Sequence, residues 1–168
     1  MDSQNFNFRY AVDAGAFYTG VLFLSSARAI YYTTSAVFNE VKHIKKSHGA
    51  SDALLVSNTL QVVNPDRESI EKVVVAAKRT GDYTRLSQAD ISIVALALQL
   101  KIALMTDDYA VANTASTLKI PINPASGKGI KDVRRWIPYC NACHKAFGPN
   151  TKECPLCGNR LRRKYKVI

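Results

Sequence analysis

The sequence lacks a long apolar run, a secretory signal and, over most of its length, cysteine. Its longest apolar stretch, residues 93–98 (IVALAL), is far too short to span a bilayer. The N-terminal segment MDSQNFNFRY has no charged region followed by an apolar run, so we expect no secretory signal. Residues 1–139 contain no cysteine, which excludes a chain held together by scattered disulfides. These absences predict a soluble, cytoplasmic protein with no membrane partner.

Acidic residues are scarce in only one part of the chain. The 168 residues include 23 Lys and Arg against 13 Asp and Glu, which gives a net charge of +10. Residues 1–122 are almost neutral, whereas residues 123–168 contain 11 Lys and Arg but only 2 Asp and Glu. A basic segment on a near-neutral body is typical of proteins that bind a phosphate backbone. We therefore expect RNA contacts in the last quarter of the chain.

Strand and helix patterns alternate over residues 8–122. Short apolar or β-branched runs predict strands at about 8–12, 30–33, 60–63 and 102–106. Predicted helices lie at about 14–24, 34–46, 51–57, 65–80, 87–101 and 108–118. Pro65 suits the first turn of its helix, and Gly81 ends that helix. The alternation predicts an α/β fold with a parallel sheet covered by helices on both faces.

The composition changes at residue 123. Residues 123–135 are rich in Gly, Pro, Ser and Lys, which predicts a basic linker. Residues 136–168 contain every cysteine of the chain. The predicted organisation is therefore a first domain at 1–122, the linker at 123–135, and a small cysteine module with a basic tail at 136–168.

The cysteines form two Cys-x2-Cys pairs, made by Cys140, Cys143, Cys154 and Cys157. Two such turns can direct four thiolates at one point, which suits a structural Zn²⁺ with no open coordination position. An iron–sulfur cluster and a redox dithiol pair are the competing interpretations. Pro155 and Gly158 in the second turn favour a zinc ribbon. Because so small a module can hardly build a core of its own, we expect zinc to fold it.

Basic and aromatic residues flank this module with few acidic neighbours. Cations bind phosphates, and an aromatic ring such as Trp136 or Tyr165 can stack on a base. The alternative is a basic tail that only increases solubility. The candidate RNA-binding residues are Lys128, Lys131, Arg134, Arg135, Trp136, Arg160, Arg162, Arg163, Lys164, Tyr165 and Lys166.

Acidic residues follow two predicted strands. Asp13 ends the first strand, and Asp107 and Asp108 follow the strand at 102–106. In a parallel sheet the carboxyl ends of the strands form the binding edge. Two further acids lie on predicted helices, namely Glu40 and Asp90.

Each acid has an ordinary structural explanation when it is taken singly. Asp13 and Asp108 can cap the helices that they precede, Asp90 can complete a capping box, and a helical glutamate can face solvent. Together, clustered carboxylates repel one another and become tolerable when Mg²⁺ or Mn²⁺ lies among them. Such an ion can hold a scissile phosphate and lower the pKa of a bound water. Composition alone leaves the convergence of the acids open.

Four acidic segments resemble the motifs of PIN-domain nucleases. They are residues 12–17 (VDAGAF), Glu40 in TSAVFNEVK, residues 86–100 (LSQADISIVALALQL) and residues 106–113 (TDDYAVAN). Together with GIKDVRRWIPYCNACHKAF and CPLCGNRL, nearly the whole chain resembles the Nin-one-binding protein family. The short length without long insertions is similar to the archaeal type of that family.

This resemblance implies a PIN-like α/β/α sandwich joined to a zinc ribbon. It implies a metal-dependent endoribonuclease that cleaves precursor small-subunit (16S) rRNA on a pre-30S particle, forming the mature 3′ end during ribosome biogenesis. The implied products are a 5′-phosphate and a 3′-hydroxyl. Thr106 is expected to help position metal or water. The implied catalytic acids are Asp13, Glu40, Asp90 and Asp108, with Asp107 as the alternative to Asp108, and Asp13, Asp90 and Asp108 are expected to hold Mg²⁺ or Mn²⁺.

Two other functions stay open. One is a toxin-type PIN ribonuclease, although such toxins are usually a bare domain without a ribbon. The other is a non-catalytic RNA-binding assembly factor whose acids are only structural. The chain has no evident serine or cysteine nucleophile motif. The segment 127–129 (GKG) lacks the spacing of a phosphate loop and the preceding strand, so we expect no nucleotide cofactor.

Overall fold

The computed structural model of the chain describes residues 8–24, 29–44, 55–126, 132–149 and 151–167. These residues form a five-stranded sheet with helices and, after it, a two-stranded hairpin with two cysteine turns. No helix in these ranges is long and apolar enough to cross a membrane.

The strands of the larger sheet are short. They are β1 (Phe8–Val12), β2 (Ala29–Thr33), β3 (Leu60–Val62), β4 (Ala103–Met105) and β5 (Ile122–Asn123). The helices are α1 (Ala14–Thr19), α2 (Val21–Leu24), α3 (Ser35–Ile44), α4 (Arg67–Thr80), α5 (Gln88–Leu100) and α6 (Tyr109–Thr117), with a 3₁₀ turn at Tyr83–Arg85. The hairpin consists of β6 (Arg134–Tyr139) and β7 (Arg162–Val167).

The larger sheet has the strand order β3-β2-β1-β4-β5, and every pairing in it is parallel. The strand β1 is therefore central, and Val12 at its end pairs with Met105 at the end of β4. The predicted α/β fold with a parallel sheet is confirmed. Because parallel strands end at the same edge, the residues after β1, β2 and β4 lie side by side.

Helix α5 is deeply buried over its middle turns. Residues 93–97 are fully buried one after another, and α5 packs against α3, α4, α6 and β1. Its start is fixed by a capping box, in which Ser87 and Asp90 each bind the backbone N–H of the other. The nearly uniform apolar composition that predicts a buried helix thus corresponds to contacts on several sides.

Two predicted helix boundaries were wrong. The predicted helix at 14–24 is split, because Gly20 has a positive φ of 73° that ends α1 before α2 begins. Pro65 lies ahead of the first turn of α4, because the Asp66 side chain accepts a hydrogen bond from Ser69 N at 2.7 Å and makes Asp66 the N-cap. Of the predicted helix at 51–57, residues 51–54 lie outside the described ranges, and Leu55 and Val56 are helical.

Both ends of the segment predicted as a linker lie in strands. Asn123 belongs to β5 and pairs with Met105, and Arg134 begins β6. Residues 127–131 between them are outside the described ranges. The hairpin packs against α4 through β6, so the cysteine module shares contacts with the first domain.

Candidate active site and cysteine cluster

Asp13 follows the central strand directly, and its carboxylate is almost fully buried, with 6% of the residue exposed. One oxygen, Oδ1, accepts a hydrogen bond from Ala16 N at 2.9 Å and caps α1. The other, Oδ2, accepts a hydrogen bond from the Thr106 hydroxyl at the end of β4. A Cβ on Gly15 would lie 3.2 Å from Oδ1, so the glycine of the VDAGAF segment keeps the space beside the carboxylate open.

The pKa of Asp13 is raised above its ordinary value. Burial is the largest cause, since it penalises the charged form, while the hydrogen bonds from Thr106 and Ala16 act in the opposite direction. The neighbouring carboxylates of Asp90 and Asp107 raise the pKa of Asp13 further. Within the described residues, no Lys or Arg side chain forms an ion pair with any of these three acids. Such a group of carboxylates favours a divalent cation as its missing counter-charge.

Thr106 links the central acid to the pair of acids that follows β4. Its buried hydroxyl donates to Asp13 and accepts a hydrogen bond from Asp108 N at 3.1 Å. Asp108 caps α6, because its Oδ1 accepts from Ala110 N at 2.7 Å and Val111 N at 3.0 Å.

Asp107 uses one oxygen in a different contact. Its Oδ1 accepts hydrogen bonds from Ser126 N at 3.1 Å and Ser126 Oγ at 3.0 Å. In the described part of the chain, the second oxygen of Asp107 and that of Asp108 make no hydrogen bond. Each acid therefore keeps one oxygen for a ligand. Of these two acids, Asp107 is the one that contributes to the raised pKa of Asp13. Which of the two holds a metal ion stays a prediction.

Asp90 and Glu40 occupy different surroundings. Asp90 Oδ2 accepts from Ser87 N at 2.8 Å in the capping box, and its charge reaches Asp13. Glu40 is exposed on α3 and, after burial, is a further cause of the raised pKa of Tyr18 on α1. The structure thus brings Asp90 and Asp107 within electrostatic reach of Asp13, and Glu40 within electrostatic reach of Tyr18.

A hydrogen bond between two hydroxyls, which the sequence analysis missed, joins α5, the helix of Asp90, to the end of β2. Thr34 is fully buried after β2, and its Oγ1 lies 2.7 Å from Ser92 Oγ on α5. Ser92 also donates to Ala89 O at 2.7 Å. Because Ser92 is two residues beyond Asp90, this contact fixes the first turn of α5 against the edge where the acids lie. The only sequence signal was a pair of hydroxyl-bearing residues at 33–34, where the strand β2 ends.

The four cysteines form a compact cluster. Their sulfur atoms all lie within 4.8 Å of one another, and Cys140 Sγ is 3.6 Å from Cys157 Sγ. Tetrahedral zinc–thiolate bonds of about 2.3 Å place sulfur atoms about 3.8 Å apart, which agrees with this spacing. Each cysteine turn is followed by a residue with positive φ, His144 at 55° and Gly158 at 72°. The cluster has the geometry of a metal site.

The thiols of this cluster shift one another's pKa values in opposite directions: the pKa of Cys143 and that of Cys157 are raised, whereas backbone and thiol hydrogen bonds outweigh burial and lower the pKa of Cys154 to about 7. A hydrogen bond with the Cys157 thiol, followed by burial and by the other two thiols, raises the pKa of Cys143 to about 12. Four crowded thiols cannot all ionise without a cation among them. The donor set therefore fits a soft divalent ion.

The hairpin residues predicted to bind RNA divide between two faces. Side chains alternate along a strand, and contacts with the first domain identify one face. This inner face carries Arg134, Trp136, Arg163 and Tyr165. The outer face carries Arg135, Tyr139, Arg162, Lys164 and Lys166. Arg160 is exposed beyond the second cysteine turn, and the predicted RNA contacts Lys128 and Lys131 lie outside the described ranges.

Comparison with known proteins identifies the family. Residues 11–100 match the family described as the PIN domain of ribonuclease, which is more than half of the chain. The chain is also 31% identical over 159 residues to Endoribonuclease Nob1 of Methanothermobacter thermautotrophicus, covering 91% of each protein. The chain is a Nob1-type member of the PIN-domain ribonuclease family. This membership confirms the resemblance to the Nin-one-binding (Nob1) family and the predicted enzyme class, an endoribonuclease.

Two further relatives of this Nob1-type PIN protein carry different names. Ribonuclease VapC1 of Thermoplasma acidophilum is 35% identical over 156 residues, 93% of this chain and 78% of that protein. The 20S-pre-rRNA D-site endonuclease NOB1 of Saccharomyces cerevisiae is 41% identical over 81 residues, 47% of this chain and 17% of that protein. The match to VapC1 is longer than the 11–100 segment that matches the PIN-domain family.

The buried charge of Asp13 predicts a pH-dependent effect on stability. Because the folded-state pKa of Asp13 is raised, the stability that protonation gives is complete below the unfolded pKa and is lost as pH rises through the folded pKa. Asp13→Asn has no carboxylate to ionise, so its stability is not lost as the pH rises, and its side-chain oxygen can still cap α1. In buffer free of Mg²⁺ and Mn²⁺, we expect the variant to equal or exceed the wild type in unfolding free energy at pH 7.

Urea unfolding of both proteins, compared at pH 7 and at acidic pH, measures this difference. The advantage of the Asn variant should shrink as the pH falls. A wild type that is more stable than Asp13→Asn at pH 7 but not at acidic pH would contradict the raised pKa.

Proposed function

We propose that this protein is a metal-dependent endoribonuclease that cuts precursor small-subunit rRNA to form its mature 3′ end. The observation that carries the proposal is Asp13, a buried carboxylate at the end of the central strand with Asp90 and Asp107 beside it. The rRNA substrate is supported by the printed name of the yeast relative, a pre-rRNA D-site endonuclease. A pre-30S particle in the cytoplasm, as the setting of the reaction, belongs to the same proposal.

The residues around Asp13 fit Mg²⁺ or Mn²⁺. These ions prefer carboxylate oxygens and water, and three acids within electrostatic reach offer such oxygens. We propose Asp13, Asp90 and either Asp108 or Asp107 as the residues that hold the ion, with Glu40 at the margin of the site. When bound, a divalent ion supplies a water of lowered pKa and charge stabilisation for the leaving oxygen.

The chain itself contributes orientation. Thr106 holds the Asp13 carboxylate and the Asp108 backbone through one hydroxyl, so the acids at the ends of β1 and β4 keep a fixed relation. The contact between Thr34 and Ser92 does the same for the helix of Asp90. Charges that are held in place before the reaction need not reorganise during it, which is the main way a protein accelerates phosphodiester cleavage.

The cleavage assay uses a precursor rRNA fragment that spans the mature 3′ end, with Mg²⁺ or Mn²⁺. We expect one new 3′ end that carries a hydroxyl, a downstream fragment with a 5′-phosphate, and no cleavage in EDTA. Asp13→Asn should lower the rate at least about 100-fold, since an amide is a poor ligand for these ions. Glu71→Gln is the matched control, because Glu71 is an exposed acid on α4 that pairs with Arg67.

The same assay distinguishes the two acids after β4. Asp108→Asn should fold, since asparagine caps a helix almost as well as aspartate. Asp107→Asn should fold too, because its amide oxygen can still accept the hydrogen bonds from Ser126. The acid that holds the ion should lose cleavage, and the other should keep it. Cyclic-phosphate ends, or full activity of Asp13→Asn, would contradict the proposed site and chemistry.

The outer face of the hairpin is the surface that we propose for RNA. Arg135 lies directly opposite Lys166 and Ile137 opposite Lys164 in the register of the two strands. Like charges on facing strands repel one another, and this cost is tolerated where an anion binds. Lys164 lies 4.6 Å from the Tyr139 ring, so Tyr139, which was absent from the sequence prediction, is a candidate for contact with a base.

Salt dependence tests this surface. Removing Lys164 and Lys166 by alanine should make the slope of log K against log salt shallower by about 1.4, since each single-strand phosphate contact contributes about 0.7. Arg67→Ala with Lys72→Ala removes two cations from α4 and serves as the control. Binding titrations of the rRNA fragment from low to moderate salt give the slopes. An unchanged slope in the Lys164 and Lys166 variant would exclude this face from the interface.

We propose one structural Zn²⁺ in the cysteine cluster. After exhaustive dialysis, elemental analysis should find about one zinc per chain, as four thiolates fill a tetrahedral site. Cys143→Ser should lose the metal, because serine does not ionise to replace a thiolate. His144→Asn is the control: His144 follows Cys143 with a positive φ that asparagine tolerates. Iron in place of zinc, or zinc retained by Cys143→Ser, would contradict the assignment.

A VapC-type ribonuclease remains the second candidate, because the match to VapC1 covers 93% of this chain. The two proposals predict different substrates for the same acids. A single cut at the mature 3′ end supports rRNA maturation, whereas cleavage of other RNAs with the precursor left intact supports the second candidate.

A further inference from the structure

A fully buried acid, Asp82, lies where the hairpin meets the PIN domain. Asp82 follows Gly81, the residue with positive φ that ends α4. Its Oδ2 accepts a hydrogen bond from Asn113 Nδ2 at 2.6 Å, and its Oδ1 lies 3.6 Å from the Arg163 guanidinium. A carboxylate removed from water requires such partners. The partners come from α6 and from β7, so this one acid connects the hairpin to two elements of the PIN domain.

Asn113 binds the backbone of β6 in the way that a neighbouring strand would. Its Nδ2 donates to Arg134 O at 2.7 Å, and its Oδ1 accepts from Arg134 N at 2.7 Å. Asn113 is fully buried on α6. The side chain thus binds both backbone groups of the first residue of β6 and one oxygen of the buried acid at once, which fixes the start of the hairpin against α6.

Rings and guanidinium groups fill the rest of the junction. The Arg134 guanidinium lies between two rings, 5.0 Å from that of Tyr109 and 4.2 Å from that of Tyr165. The Arg163 guanidinium lies 4.7 Å from the Trp136 ring and donates to Gly81 O. A Cβ on Gly81 would be 3.0 Å from Trp136 O, so the backbones approach closely. Cations predicted to bind RNA are thus used in packing the two parts together.

Two residues that lie between β5 and β6 in the chain also form hydrogen bonds next to the candidate active site. The Tyr109 hydroxyl donates to Asp132 O at 3.0 Å, and Ser126 binds Asp107. Tyr109 begins α6, whose N-cap is Asp108 and whose fifth residue is Asn113. The helix that carries a candidate metal ligand at its start therefore also carries the attachment of the hairpin.

We propose that Asn113, Asp82 and Arg163 fasten the hairpin to the PIN domain and set a fixed separation between its outer face and the acids, which selects the phosphodiester that is cut. The selection of the phosphodiester rests on the proposed function, whereas the fastening of the hairpin to the PIN domain does not. An RNA that is held on Arg135, Lys164 and Lys166 reaches the acids with only one stretch of its backbone. Asn113 acts here as a positioning residue.

The fastening is tested first without RNA. Trp136 is the single tryptophan of the chain and lies in the junction, so its fluorescence reports docking directly. In the zinc-loaded full chain, Asn113→Leu should shift the emission to longer wavelength and increase quenching by acrylamide. Thr114→Val is the matched control: Thr114 is the neighbouring buried residue on α6, and its hydroxyl makes no hydrogen bond within the described ranges. Unchanged emission and quenching in a folded Asn113→Leu protein would overturn the fastening.

The wild type gives a second measurement in case Asn113→Leu does not fold. Backbone amide NMR relaxation should give one rotational correlation time for β6 and β7 and for the central strands. A shorter correlation time for the hairpin would overturn the fastening without any variant.

The selection is tested with two RNAs. On the long precursor, Asn113→Leu should spread the cuts over several neighbouring positions and lower kcat/KM, whereas Thr114→Val should keep the single cut. On a short single strand that reaches the acids but not the hairpin, both variants should cut like the wild type. A single cut by a variant whose Trp136 has become exposed would overturn the selection. A wild type that cuts neither RNA would count against the proposed function and leave the fastening to the fluorescence and NMR results.

Discussion

The rest of the site depends on holding one charged carboxylate where water hardly reaches it. Asp13 is placed there by the parallel pairing of β1 with β2 and β4, which puts the end of the central strand between two others. Burial disfavours its charge, and the acids around it disfavour that charge further. The hydrogen bonds from Thr106 and Ala16 only partly offset this cost. The fold therefore retains an acid whose charge opposes its stability, which agrees with the proposed binding of a divalent cation at this edge.

Several acids serve the fold and the site together. Asp13 caps α1, Asp108 caps α6, and Asp90 completes the capping box of α5, yet each points to the edge where parallel strands end. Helix N-termini carry partial positive charge, so they attract the carboxylates that a cation also needs. A cap uses one oxygen, and the second oxygen of Asp90 and of Asp108 makes no hydrogen bond within the described residues, whereas that of Asp13 accepts from Thr106. The structural explanation of each acid, which is sufficient for it alone, thus does not exclude catalysis.

The sequence was most informative where a local pattern determines the structure. The apolar run in α5, the strand signals and the two cysteine pairs each depend on neighbouring residues, and the α/β fold follows from them. The junction was missed because Asp82, Asn113 and Arg163 are far apart in the chain and each resembles an ordinary surface residue. Only the alternation of side chains in β7 separates Arg163, which packs inward, from Lys164, which does not. That separation needs the register of the hairpin, and composition does not contain it.

The junction also explains why the basic C-terminal segment is not a single binding surface. Removing Arg163 would leave the buried Asp82 carboxylate without a cation beside it, which disfavours its charge, whereas an exposed cation without an ionic partner costs little to lose. Arg163 has a buried partner in Asp82 and Lys164 has none among the described residues, although they are neighbours in the chain. Loss of the Arg163 cation is therefore expected to lower stability, whereas loss of the Lys164 cation is not. Part of the positive charge of the C-terminal segment thus lies in the packing of the hairpin against the PIN domain and not on its outer face.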